Sequence, residues 1–148
     1  MLNSIETEIE VFYSPSNVSV VGDISAFIGR NKSDLWLKTF SPASYILDLG
    51  DSRKVLLSKY TLRHFSQKCC FLKNWNLEAS NDNENWIILQ QYNEPNGAFN
   101  LPNQTKTFSV DKITTFYRYF KIHQISENES NWNFGLAGFE LYGKLIEE

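Results

Sequence analysis

A chain of 148 residues with 42% apolar, 15% aromatic and 21% charged residues can bury one sizeable core without disulfides or metals. Its 11 Phe, 7 Tyr and 4 Trp exclude a disordered polymer. The net charge of −3, from 14 basic and 17 acidic residues with no basic block, argues against a nucleic-acid partner and against attraction to anionic membranes.

The opening MLNSIETEIEVF has no basic start followed by an apolar run, so neither a signal peptide nor a membrane span is expected and a cytoplasmic setting follows. Within it, residues 5 to 12 place Ile5, Thr7, Ile9 and Val11 on one face and Glu6, Glu8 and Glu10 on the other, the period of a strand with a wet face. Ser14-Pro15-Ser16-Asn17 reads as a turn. From Gly22 to Ser44 the alternation fails, and the segment reads as long loops with at most a short strand around Phe27. Loops this long usually carry function.

Tyr45 to Leu49 is a strand ended by Gly50-Asp51. Lys54 to Phe65 is a longer one, with Tyr60, Leu62 and His64 sharing one parity and Thr61, Arg63 and Phe65 the other. Phe71 to Ala79 puts Trp75, Leu77 and Ala79 inward and Asn76 and Glu78 outward. The polar turn Asn81 to Asn85 then leads into a return strand, Trp86 to Tyr92. Residues 93 to 104 form a Pro- and Gly-containing loop. Lys106 to Val110 is a short strand, and Thr115 to Gln124 is a long aromatic one. Residues 126 to 135 form a loop, and Leu136 to Leu145 closes the chain. About eight strands with no helical period predict an all-β sandwich built as one domain over residues 1–148.

Catalytic and metal-binding patterns fail in turn. No Gly-rich phosphate loop, zinc-protease motif or serine elbow occurs. Cys69 and Cys70 are adjacent, too close to brace a long loop, and read as unpaired thiols of a reducing compartment. On a strand they would face opposite ways and could not reach one ion, so a zinc site from Cys69, Cys70, His64 and His123 is disfavoured. Four sequons, at Asn17, Asn31, Asn103 and Asn128, occur among 15 asparagines and matter only for a secreted protein. His123 reads as plain surface, and Arg118 as a partly buried arginine holding a carboxylate or backbone carbonyls.

What survives is a set of amide, guanidinium and indole groups near strand ends: Arg30, Asn31, Asp34, Trp36, Arg63, His64, Lys73, Trp132 and Asn133. An indole face packs an apolar anchor or stacks on a sugar, and Arg and Asn supply directed donors. The competing reading makes Trp36 and Trp132 plugs of the core, His64 a satisfied core residue and Arg63 one half of an ion pair.

The ordered pieces YILDLG, YTLRH, LKNWNLEASNDNENW, YRYFKI and LAGFELYG resemble the F5/8 type C, or discoidin, family over about residues 24 to 145. The similarity is strongest to the intracellular branch found beside ubiquitin-ligase and BTB/kelch modules. Phe27-Ile28-Gly29-Arg30 also resembles the family's opening segment. The resemblance implies a galactose-binding-like jelly roll, with Trp75 in the core, a tight Ser80-Asn81-Asp82 turn backed by Trp86, and the last strand beside the first. Asn83 stands where the family usually has Gly, so a left-handed Asn is expected there. Ala137 replaces the usual Ser, and the terminal disulfide of extracellular members has no counterpart. The calcium clip of some members would fall to Asp23 and Glu140, although the six to eight oxygens such an ion takes are not visible in the sequence. Otherwise no cofactor is expected. The function implied is non-catalytic recognition of a protein or peptide partner through the end loops, residues 27 to 40, 63 to 73 and 128 to 134. Galactose-type glycan binding is the alternative, and passive bracing of a larger assembly a third.

Overall fold

The computed structural model describes residues 9–15, 18–29, 34–39, 41–128 and 131–148. Among them are ten strands: β1 Glu10–Ser14, β2 Ser19–Gly22, β3 Leu35–Lys38, β4 Ser44–Asp48, β5 Arg53–His64, β6 Asn74–Ser80, β7 Ile87–Asn93, β8 Thr105–Ser109, β9 Tyr119–Gln124 and β10 Leu136–Glu147. They form a five-stranded sheet in the order β1-β4-β9-β6-β7, a three-stranded sheet in the order β10-β5-β8, and the pair β2-β3. Every pairing is antiparallel. The result is the all-β sandwich expected from the alternation.

The alternation fixes what each sheet buries. Tyr60, Leu62 and His64 on β5 and Trp75, Leu77 and Ala79 on β6 are all fully buried, since residues two apart share a face. The sheets meet at Trp75, whose indole Nε1 donates to the Tyr60 hydroxyl at 2.9 Å. Tyr45 on β4 stacks on Phe27 at 4.6 Å between ring centres.

Four expectations need correction. Phe27 lies on a 3-10 turn, Ile24–Ile28, not a strand; Asp23 caps that turn by accepting from the Ser25 backbone N–H at 2.9 Å. The stretch from Gly22 to Ser44 is not loop throughout, because it contains β3, which pairs with β2 from Ser19↔Lys38 to Gly22↔Leu35. The last strand is hydrogen-bonded to β5, while the first pairs with β4 in the other sheet. His123 is not plain surface: its Nδ1 meets Glu78 Oε2 at 2.9 Å. That contact, together with Lys121 Nζ at 3.8 Å, explains why the outward-pointing Glu78 is only 7% exposed. Burial pushes the Glu78 carboxyl up, but the His123 hydrogen bond and the His123 and Lys121 charges outweigh it and hold its pKa below the ordinary value. Residues 5 to 8 of the expected first strand lie outside the described residues.

The turn after β6 is as the sequence indicates. Ser80 Oγ accepts from the N–H groups of Asp82 and Asn83 at 3.1 and 3.0 Å. Asn83 takes a left-handed φ of 60°. The Asn85 side-chain amide, the Asn85 and Glu84 N–H groups and the Ser80 hydroxyl hold the Asp82 carboxyl far below the usual carboxylate range.

Candidate binding site

One end of the sandwich gathers the start of β4, β6 and β10 and the end of β5 and β9. At this rim, β3 lies against the segment preceding β10. Leu37 N–H donates to the Phe134 carbonyl at 2.8 Å and Phe134 N–H donates back to the Leu37 carbonyl at 3.0 Å. This strand-like bridge brings Trp36 and Asn133, the neighbours of the bridged residues, to one place. The chain leaving β5 supplies the other wall. Phe65 lies flat on Gly135, where a Cβ would come within 2.2 Å of the ring, and its ring is 6.3 Å from that of Trp36.

Between these walls is a cavity of about 220 Å³ lined by Trp36, Phe65, Gln67, Cys69, Cys70 and Asn133. It has aromatic walls and two amides, and none of these six residues carries a formal charge at neutral pH. The segment before β10 is braced from within. Asn128 Nδ2 donates to the Asn133 carbonyl at 2.5 Å, and Asn133 N–H donates to Asn131 Oδ1 at 3.0 Å. Asp34, just before β3, accepts from the Ser66 hydroxyl, tying the approach to β3 to the segment after β5.

His64 sits beneath this segment. It is fully buried among the rings of Phe65, Phe71 and Phe99, at 4.8, 4.5 and 5.6 Å. Its Nε2 donates to the Gln67 carbonyl at 2.9 Å. Burial lowers its pKa to about 4, against the opposing pull of the Gln67 and Cys69 backbone, so the ring is neutral near pH 7. Placed in this way His64 is fastened to the pocket wall at Gln67 and is not among the residues lining the pocket.

The expected site residues therefore separate. Trp36 and Asn133 share the pocket, Asp34 is tied to its wall, and Trp132 is half-buried beside Asn133. Lys73, half-buried just before β6, does not line it. Arg63 has the opposite parity to His64 and faces outward from the three-stranded sheet. There it borders a separate polar groove of about 330 Å³ with Gly29, Thr61, Thr105, Thr107, Gly138, Glu140 and Tyr142. Arg30 and Asn31 lie outside the described residues. Asp23 caps the 3-10 turn, Glu140 accepts from the Tyr142 hydroxyl, and among the described residues no group of three or more His, Cys, Asp and Glu side chains is set to hold a metal ion.

Sequence reasoning did not single out Phe65 and Gln67 for the pocket, nor its joint lining by both cysteines. The Gly135–Phe65 contact joins residues 70 positions apart and leaves no local pattern. Cys70 adopts a left-handed φ of 61°, which a cysteine does not advertise.

Among the described residues no helix is long and apolar enough to cross a membrane. The family model described as F5/8 type C domain matches residues 14–137. The E3 ubiquitin-protein ligase hecd-1 of Caenorhabditis elegans is 32% identical over 111 residues, covering 71% of this chain and 4% of the relative's own length. Among solved structures, the C-terminal domain of a chitobiase from Bacteroides fragilis superposes with a TM-score of 0.71 at 16% identity, over 96% of this chain and 97% of that one. The family 32 carbohydrate-binding module of Clostridium perfringens NanJ, in complex with galactose, superposes with a TM-score of 0.68 at 19% identity, over 93% and 95%. At these identities the structural likeness speaks for the fold.

Proposed function

We propose that this chain, which belongs to the F5/8 type C domain family, works as a non-catalytic intracellular module that recognises a protein or peptide partner through the rim pocket. The observation that carries this reading is the pocket's chemistry. Two aromatic walls and a volume near 220 Å³ suit one uncharged apolar side chain, the kind of anchor that dominates interface energetics. Gln67 and Asn133 stand beside it to meet the backbone amides that flank such an anchor. The hecd-1 relative supports a setting inside the cell, where free galactosides are scarce. Calcium has no part in this reading.

A second reading, glycan recognition, draws on the carbohydrate-binding modules among the structural neighbours and on the polar groove at Arg63, whose hydroxyl, carboxylate and guanidinium groups match a sugar's mixed donors and acceptors. We favour the first because Arg63 is not among the pocket's lining residues, which leaves the aromatic walls without the guanidinium a sugar site would use.

A displayed peptide library selected on the wild-type chain alone, with each selected peptide then titrated against Trp36→Ala and Asn133→Ala, separates the two. The expected result is a set of peptides sharing an apolar anchor that bind wild type and lose affinity for Trp36→Ala and Asn133→Ala. Peptide binding untouched by both substitutions would refute the rim reading. Galactose-induced backbone resonance shifts centred on Thr61, Thr107 and Gly138, with no peptide selected, would move the assignment to glycan.

A further inference from the structure

Cys69 and Cys70 sit in a segment that is not a strand, and neither is in a disulfide. The rule that adjacent strand residues face opposite ways therefore does not apply. Cys70 takes a left-handed backbone, φ 61°, and both residues line the same cavity. Left-handed backbone is uncommon outside glycine and concentrates where a structure holds a side chain in a special place. Asn131 Nδ2 lies 3.8 Å from Cys70 Sγ, a contact that fixes the sulfur beside the segment preceding β10.

Two fates are open to neighbouring thiols. A disulfide between them is strained, because adjacent Cα atoms across a trans peptide are about 3.8 Å apart, whereas disulfides usually span about 4.4 to 6.8 Å. A single atom that accepts both sulfurs removes that constraint, and soft thiolates select soft cations. We propose that Cys69 and Cys70 together form a two-thiolate site for a soft, thiophilic cation of the monovalent copper class, at the wall of the rim pocket. Binding displaces the two thiol protons and forms two metal–sulfur bonds, with no change of oxidation state. The ion occupies space that an apolar anchor needs, so capture closes the pocket to its partner. That last consequence rests on the binding reading given above, whereas the site itself does not.

Silver(I) and phenylarsine oxide are the probes. Silver(I) stands in for the soft monovalent ion, and the arsenical bonds stably to a thiol pair with release of one water. Native intact mass on the reduced chain should show one silver ion or one phenylarsenic group per molecule, removed by a competing small dithiol. Cys69→Ser and Cys70→Ala should each weaken capture by about 100-fold, the loss expected when a second, tethered ligand is deleted. Cys69 is only half-buried, so Cys69→Ser tests the pairing even where Cys70→Ala disturbs the fold. Wild-type capture no tighter than that of Cys69→Ser, or no retained arsenical at all, would overturn the proposal. Loss of selected-peptide binding on silver(I) addition, restored by the dithiol, tests the closure. Capture that leaves peptide binding intact would overturn the closure and keep the site, and a failure to select any peptide bears on the binding reading alone.

Discussion

Asp48 and Arg118 form a two-pronged ion pair, Nε to Oδ1 at 2.7 Å and Nη2 to Oδ2 at 3.1 Å, that joins the end of β4 to the approach to β9. The Asp48 hydrogen bond and charge raise the guanidinium pKa, and the Arg118 N–H is held by Asn81 Oδ1 at 2.9 Å. Asp48 Oδ1 also accepts from Gly50 N–H at 2.9 Å, fixing the turn after β4. Asp48→Asn retains an oxygen for Gly50 but removes the charge, and should cost roughly 2 kcal/mol, between an exposed and a buried pair. Asp48→Ala should cost more, since the turn bond also goes. Urea unfolding of the two variants against wild type checks the order.

The Trp75–Tyr60 bond should show the cost of an orphaned donor. Tyr60→Phe keeps the ring but leaves the fully buried indole N–H without its acceptor, at about 1–3 kcal/mol. The expected signature is a lower urea midpoint with an unchanged slope. An unchanged midpoint would mean that another acceptor takes over.

The pH dependence of stability should carry a mark from His64. Its folded pKa, about 4, lies below that of an unfolded histidine, so between those values the unfolded chain binds more protons. The stability of the neutral buried ring is complete above about pH 6.5 and is lost as pH falls through that window, by on the order of 2–3 kcal/mol. Melting temperatures from pH 7.5 to 4 should fall more steeply in wild type than in His64→Leu. Equal slopes would contradict this account.

At Asn83 the left-handed φ of 60° sets up a simple gain. Asn83→Gly relieves the Cβ penalty while Ser80 Oγ still accepts from the backbone at that position, for about 0.5 kcal/mol of added stability. A thermal melt of the single variant decides the sign.

Pocket and groove should respond independently. Arg63→Ala should leave peptide binding at the rim within about 2-fold of wild type, because well-separated sites act additively, while Trp36→Ala should abolish it. A parallel loss in both variants, with native circular dichroism, would unite the two surfaces into one site.

Most of the sandwich was legible because strand parity is a local signal: Tyr60, Leu62 and His64 could be placed on one face of β5 from their spacing alone. Arg118 was also readable, since an arginine among inward aromatics needs a carboxylate, which Asp48 supplies. β3 was not, because Leu35-Trp36-Leu37-Lys38 is short and shows no alternation. Both leucines are buried and Trp36 is half-covered by the segment packed on it. The site residues were recognisable by type but not by address. Arg63 and His64 are neighbours in sequence, and that adjacency is what sends one out to the groove and the other into the core. The pocket itself comes from long-range events, the Leu37–Phe134 bridge and the seating of Phe65 on Gly135, which no window of sequence contains.

The Leu37–Phe134 bridge has a kinetic corollary. The cleft between indole and phenyl is held open by paired main-chain bonds before any visitor arrives, so docking requires little rearrangement of this wall. Encounter should then be limited by orientation, giving association rates in the ordinary range of about 10⁵–10⁷ M⁻¹s⁻¹, and different visitors should be told apart by how long each one stays.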